Sequence, residues 1–153
     1  MAEQTWKWRT PSWVPTHTQR YVDDPEGAHM WDSTKAGGPG ELPTLLLDTR
    51  GRRTGERRLS PVLYGRAGDA WVIIASKGGY PDHPHWYLNL VDHPECEIQV
   101  GAEHHHVKAR TAEGEERAAL WASMLAIYPP YADYEARTDR QIPVVVLEEA
   151  ASA

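Results

Sequence analysis

The chain has 153 residues, the size of one ordinary domain, and 41% of them are hydrophobic, enough for a single core. A net charge of −6 disfavours nucleic acid and anionic membranes as partners; no apolar run reaches the length of a membrane span, and Glu3, Lys7 and Arg9 interrupt any signal-peptide pattern. The lone cysteine, Cys96, excludes an internal disulfide, reads as a small buried thiol and makes the cytoplasm the default location.

Residues 1–41 read as an irregular N-terminal arm packed over the domain. Aromatics are scattered through "TWKWRTPSWVPTH" without a sustained period, and "STKAGGPGELP" is loop composition. Near "DPEGAHMWD" Asp24 caps and Pro25 starts a helical turn. A single domain is expected over 42–153. "LPTLLLDT" is a buried strand, "GRRTGERR" a turn and "RLSPVLYGR" a returning strand, so the three make a hairpin. "AGD" is a tight turn before a third strand, "AWVIIAS". A short helix follows in "HPHWYLNLVDHP", with Pro84 in its first turn and Pro94 as its stop. "CEIQVG" and "EHHHVKARTA" pair around Gly101 and Ala102. "EGEERAALWASMLAIY" has acidic residues in its first turn and helical spacing of Trp121, Met124, Leu125 and Tyr128. "PPYADYEART" is a second, short helix and "IPVVVLEE" a last buried strand. Meandering strands with few helices predict a mainly β, α+β domain closed as a small barrel rather than a doubly wound sheet. No GxGxxG follows a strand, which argues against a dinucleotide fold.

Three segments carry chemistry. Five arginines lie between Arg50 and Arg58 in an otherwise acidic chain. Guanidinium groups grip phosphate or carboxylate in a fork, and glycines in the turn let backbone N–H groups form an anion nest; the alternative is a solvated basic loop. In "ASKGG", Gly78 and Gly79 permit close approach at a strand end, and the helix after Pro84 points its N-terminus back at it. Lys77 there is a general acid, an anion partner or merely exposed. Strand end, glycines and helix start together suit one side of a planar, polar-edged ring. In "YPPYADY", Tyr128, Tyr131 and Tyr134 recur every three residues, so one helical face presents three phenols in a segment too polar to bury them all. His104 and His106 share a strand face, but two histidines without a third ligand do not make a metal site. Ser60 lacks any acyl-transfer context.

"TRGRRTGERRLSPVLY", "VIIASKGGYPDHPHWYLNL" and "EGEERAALWASMLAIYPPYADYEARTDRQIPVVVLE" together resemble the deazaflavin-dependent nitroreductase family of actinobacteria, over 42–148. That resemblance implies a split β-barrel of the FMN-binding, pyridoxamine-oxidase-like type that binds coenzyme F420, a deazaflavin with a phosphate and an oligoglutamate tail. It implies that Arg52, Arg53, Thr54 and Arg58 hold the anionic part, and that Leu59, Ser60, Pro61 and Val62 run beside the coenzyme. Ile74, Ala75, Ser76 and Lys77 would offer backbone to the ring, and His85, Trp86, Tyr87, Leu88 and Asn89 would surround it. Tyr131 would be the catalytic proton donor nearest the ring, with Tyr128 and Tyr134 on the substrate side. The family prototype carries a tyrosine where this chain has Leu63. Tyr64 comes next but, on a strand, faces the other way.

The implied reaction is hydride transfer from reduced F420 to an electron-poor small molecule: a quinone, an α,β-unsaturated carbonyl or a nitro-aromatic. The implied partner is that acceptor alone, without nucleic acid or stable membrane insertion. Peripheral membrane contact is left open, as is the choice between a monomer and a weak homodimer. The alternatives are an FMN- or haem-binding split barrel, with His83 or His85 as axial ligand, and a non-catalytic F420 carrier.

Overall fold

The computed structural model describes residues 13–150; the part of the expected arm before Trp13 lies outside them. The first element is a helix, α1 (Trp13–Asp23), where the sequence reads as irregular. Pro15 falls in its first turn, where a missing N–H costs nothing. Its inner face is an aromatic ladder at every fourth residue. Trp13, His17 and Tyr21 have successive ring centroids 6.3 and 5.9 Å apart, so one face is buried although the helix as a whole is polar. A one-turn helix α2 (Pro25–Ala28) follows, with Asp24 accepting from Gly27 N–H as expected.

Eight strands then form one antiparallel, curled sheet: β1 (Met30–Asp32), β2 (Glu41–Arg50), β3 (Arg57–Leu63), β4 (Gly65–Ala67), β5 (Ala70–Ile74), β6 (Glu95–Val100), β7 (Glu103–Thr111) and β8 (Val144–Glu149). The order is β1-β2-β6-β7-β8-β5-β4, with β3 on β2. β2 is central: Leu46 faces Pro61 of β3 and Gln99 of β6. The expected second strand is two. It breaks at Tyr64, and Gly65–Ala67 turns away from β2 to pair with β5.

β5 and β8 read as apolar on both faces because each separates two cores. Val72, Ile74, Val144 and Val146 face one cluster; Trp71, Ile73, Val145 and Leu147 face the other. The first cluster is closed by Met124 of α4 (Gly114–Ile127) and Tyr131 of α5 (Tyr131–Arg137), the second by Leu90 of α3 (His85–Asp92). Leu63 belongs to the first cluster and Tyr64 to the second, so these neighbours do face opposite sides. Cys96 is buried and its thiol pushed up to about 12 by burial, which makes it an inert core residue. Among the described residues no helix is long and apolar enough to cross a membrane.

Candidate active site

The β2–β3 hairpin brings the arginine turn to one end of a cleft. Gly51 N–H donates to Glu56 O and Gly55 N–H to Gly51 O, both at 2.7 Å, and Gly55 takes φ +73°, which closes the turn. Three of the five arginines have side-chain partners. Arg57 Nε donates to Asp48 at 2.8 Å, Arg58 Nη1 lies 3.1 Å from Glu56, and Arg52 reaches α3. Arg52 donates to Asn89 Oδ1 from its backbone at 3.2 Å and its guanidinium at 3.1 Å, while Asn89 Nδ2 donates to Thr49 Oγ1 at 3.3 Å. Arg52 Nη2 also lies 3.4 Å from His85 Nδ1. Arg50 and Arg53 make no ion pair among the described residues. Arg52, Arg53, Thr54, Arg58, His85, Trp86 and Asn89 line a chamber of about 410 Å³.

Leu59, Ser60, His85 and Trp86 also line a second, larger chamber of about 940 Å³, so the two adjoin and share these four residues. Its floor is Pro61, Val62, Leu63 and Ile74, and one wall is Ser76, Lys77 and Gly78. Lys77, Gly78 and Gly79 all sit at positive φ, at 46°, 60° and 81°. A lysine there is strained by about 1–3 kcal/mol and persists only where its surroundings fix it. Lys77 is neither loose nor solvent-facing: its Nζ donates to Asp82 at 2.9 Å, and that bond holds the Asp82 carboxyl below its usual range. Gly79 has a separate reason to be glycine. A Cβ there would come within 2.5 Å of Tyr134 O, so the bare backbone lets α5 close on the wall.

The tyrosines are not arranged as one exposed face. Tyr128 caps the end of α4, Tyr131 opens α5, and both are buried in the first core cluster. The two prolines between them turn the chain, so spacing by three does not mean one helix. All three side chains nonetheless reach the larger chamber. Tyr128 Oη donates to Ala36 O at 3.3 Å, which leaves Tyr134 Oη to donate the 3.0 Å bond between the two phenols. Tyr131 Oη has no hydrogen-bond partner among the described residues, and burial, with Tyr134 beside it, pushes its hydroxyl well above the ordinary tyrosine range.

Three expected cofactor residues do not line the cleft. Ala75 is fully buried, with N–H on Pro143 O and its carbonyl on Arg140. Tyr87 pairs with Thr111 at 2.9 Å, and Leu88 lines neither chamber. In the other direction, Trp13, Trp31 and Lys35 line the larger chamber from the segment read as an arm. For Trp13 and Trp31 the sequence offers only its seven tryptophans against no phenylalanine, which says nothing of position, and for Lys35 it offers no signal. His83 Nδ1 is engaged by Arg140 at 3.0 Å.

Residues 18–149 match the model of a family described as F420H(2)-dependent quinone reductase. An F420H(2)-dependent quinone reductase of Mycobacterium tuberculosis is 43% identical over 112 residues, 71% of this chain and 75% of that one. A putative one from the same organism is 36% identical over 106 residues, 69% of this chain and 89% of that one. Of solved structures, the F420-H2 dependent reductase FDR-A superposes with a TM-score of 0.64 at 39% identity, covering 69% of this chain and 94% of that one. A structure described as a domain-swapped dimer gives 0.67 at 34% identity, covering 89% and 97%. HutZ, a haem storage protein of Vibrio cholerae, shares the fold alone, at 0.53 and 14% identity over 71% of this chain and 82% of its own.

Proposed function

The chain belongs to the F420H(2)-dependent quinone reductase family and uses reduced coenzyme F420 to reduce a quinone-type acceptor; we propose that its two adjoining chambers divide this task, the smaller gripping the anionic tail and the larger holding ring and acceptor. The carrying observation is that the two chambers adjoin with opposite character. One end of the cleft is basic, the other is aromatic, and Leu59, Ser60, His85 and Trp86 belong to both. A flat ring bearing a phosphate and an oligoglutamate chain has that same division of charge, so the residues present fit the group.

When bound, the reduced coenzyme supplies the hydride. The chain's own residues do the rest. Arg53, without an ion pair of its own, and Arg58, paired only with exposed Glu56, are the guanidinium groups for phosphate and carboxylate. Arg52 and Asn89 hold the turn against α3 and so set where those cations stand. Trp86, Pro61 and Val62 form apolar walls that keep water from the reacting atoms. Tyr131 offers its free hydroxyl as a hydrogen-bond donor to the acceptor's oxygen as negative charge develops there. Tyr128 and Tyr134, bonded to each other, shape the acceptor side together with Trp13 and Trp31.

Titrating F420 against the protein by its fluorescence, then assaying reduced F420 with a panel of quinones and enones, tests this reading. Salt-sensitive binding with quinone turnover is expected. Tight binding without turnover of any acceptor would make the protein a coenzyme carrier.

A further inference from the structure

Arg140, in the segment leading into β8, lies within the "TDRQIPVVV" stretch that carries part of the resemblance but was given no role in the site. Its Nε donates to Tyr80 O at 2.8 Å, Nη1 to Ala75 O at 3.2 Å and His83 Nδ1 at 3.0 Å, and Nη2 to Ser76 O at 2.7 Å. One planar fork thus holds four points of the connection between β5 and α3, the use for which a guanidinium is better shaped than an ammonium. The same connection contains the positive-φ run from Lys77 to Gly79, which needs such bracing.

The direction of these bonds matters more than their number. The chain has no cis peptide among the described residues, and a trans peptide sets each C=O antiparallel to the following N–H. With the Ala75 and Ser76 carbonyls turned to Arg140, the N–H groups of Ser76 and Lys77 are turned the opposite way. Ser76 and Lys77 line the larger chamber, whereas Ala75 does not. Arg137 Nη1 donates to the Gly78 carbonyl at 3.4 Å, but the following N–H, that of Gly79, is spent on Ser76 O at 2.9 Å, so the presented edge is that of Ser76 and Lys77.

We propose that Arg140 is the positioning residue of the ring-side wall: by taking the carbonyls of Ala75 and Ser76 it presents the N–H edge of Ser76 and Lys77 to the acceptor atoms on the rim of the deazaflavin ring, while its bond to Tyr80 O, which precedes Pro81 and so turns no N–H, only anchors the connection. This rests on the reading that the ring lies in the larger chamber. A residue that only stapled the fold would, when lost, lower the melting temperature and weaken ring and tail contacts alike. A positioning residue weakens ring contacts selectively.

The test compares wild type with Arg140→Lys, which keeps the charge but cannot span the fork. His83→Ala, the milder variant, removes one of the four contacts and leaves the arginine. The probes are F420 and the deazaflavin nucleoside lacking phosphate and tail, with amide hydrogen exchange on the coenzyme-free and F420-bound proteins. In wild type, F420 is expected to slow exchange at Ser76 and Lys77. In Arg140→Lys, exchange at 75–80 rises about tenfold without coenzyme, and affinity for the tail-less deazaflavin falls about tenfold. The salt dependence of F420 binding stays as in wild type, because Arg53 and Arg58 are intact. His83→Ala moves both readouts the same way by about threefold. Wild-type affinity for the tail-less probe in Arg140→Lys, or an equal loss of ring and salt-sensitive binding, overturns the proposal alone. Unchanged exchange at Ser76 and Lys77 when F420 binds wild type overturns the ring's placement, and the proposal with it.

Discussion

Asn89 Oδ1 accepts hydrogen bonds from both the backbone N–H and the guanidinium of Arg52, and its own amide N–H reaches Thr49. A nearly buried amide on α3 therefore ties the β2 side of the arginine turn, at Thr49 and Arg52, to the helix that walls the cleft. Asn89→Ala leaves an Arg52 N–H and the Thr49 hydroxyl without this partner, a loss of about 1–3 kcal/mol. The expected result is a lower melting temperature together with weaker F420 binding. Wild-type values for both in the Ala variant would show that the turn holds its place unaided.

An anion that does not itself line the smaller chamber stands beside one of its arginines. Glu56 lies 3.1 Å from Arg58, and both side chains are more than half exposed. The pair stabilises the fold little, but it competes for the guanidinium that the proposed phosphate or carboxylate would use. Glu56→Gln is expected to tighten F420 binding several-fold at low salt, with the gain shrinking as salt screens it. Arg53→Ala should weaken binding by about 1.5–3 kcal/mol and leave the melting temperature unchanged. Fluorescence titrations at two salt concentrations measure both. An affinity indifferent to Glu56 and Arg53 would mean the tail lies elsewhere.

The sheet and the cleft were legible where local pattern decides structure. Short continuous apolar runs in "AWVII" and "VVVL" mark β5 and β8, and the glycine-rich arginine turn marks its hairpin. Nearly all the expected cofactor positions meet in one cleft because they lie on elements of fixed register: β3, the end of β5 and the first turns of α3. What was not legible depends on tertiary contact. α1 hides its aromatic stripe among threonines and a proline. Tyr87 and Leu88 sit beside Trp86 in sequence, but a helix turns successive residues by about 100°, so only some face the cleft. Arg140 resembles any charged loop residue until the strand end folds over it.

Acid should loosen the structure at two histidines. Burial, then Arg140, lowers the His83 pKa; burial, then Arg20, lowers that of His17, which bonds Thr44 Oγ1 at 3.1 Å. The charged groups near His83 are Arg140 and Asp82, the latter held by Lys77. Both histidines bind a proton less readily folded than unfolded, so the unfolded state gains protons first as pH falls. Their contribution is complete above the unfolded value of about 6.5 and is lost as pH falls through the lowered folded values. Urea midpoints should therefore drop between about pH 7 and pH 5. The His17→Gln, His83→Gln double variant should show a shallower drop. An unchanged slope in that variant would assign the acid sensitivity to other groups.

Tyr131 is the last and most specific case. A general acid gives its proton up, and a hydroxyl pushed above the ordinary tyrosine range by burial does this poorly. A hydrogen-bond donor only has to keep its proton, and burial helps it do so. The structure therefore favours stabilisation of the developing oxyanion by Tyr131, with the proton arriving from water. Tyr131→Phe keeps the ring that packs against Tyr128 and Trp121, with centroids 4.8 and 6.1 Å away, and removes only the hydroxyl. The expected result is a drop in kcat of ~10²-fold, the lower end for loss of one oxyanion donor. F420 affinity should change by less than about twofold, because no tail contact is touched. Wild-type kcat should stay level as pH rises through about 10, where an ordinary tyrosine would ionise. A fall in wild-type kcat centred near that value and absent from Tyr131→Phe would restore the general-acid reading. Full single-turnover reduction by the Phe variant would leave Tyr131 as a wall of the chamber and nothing more.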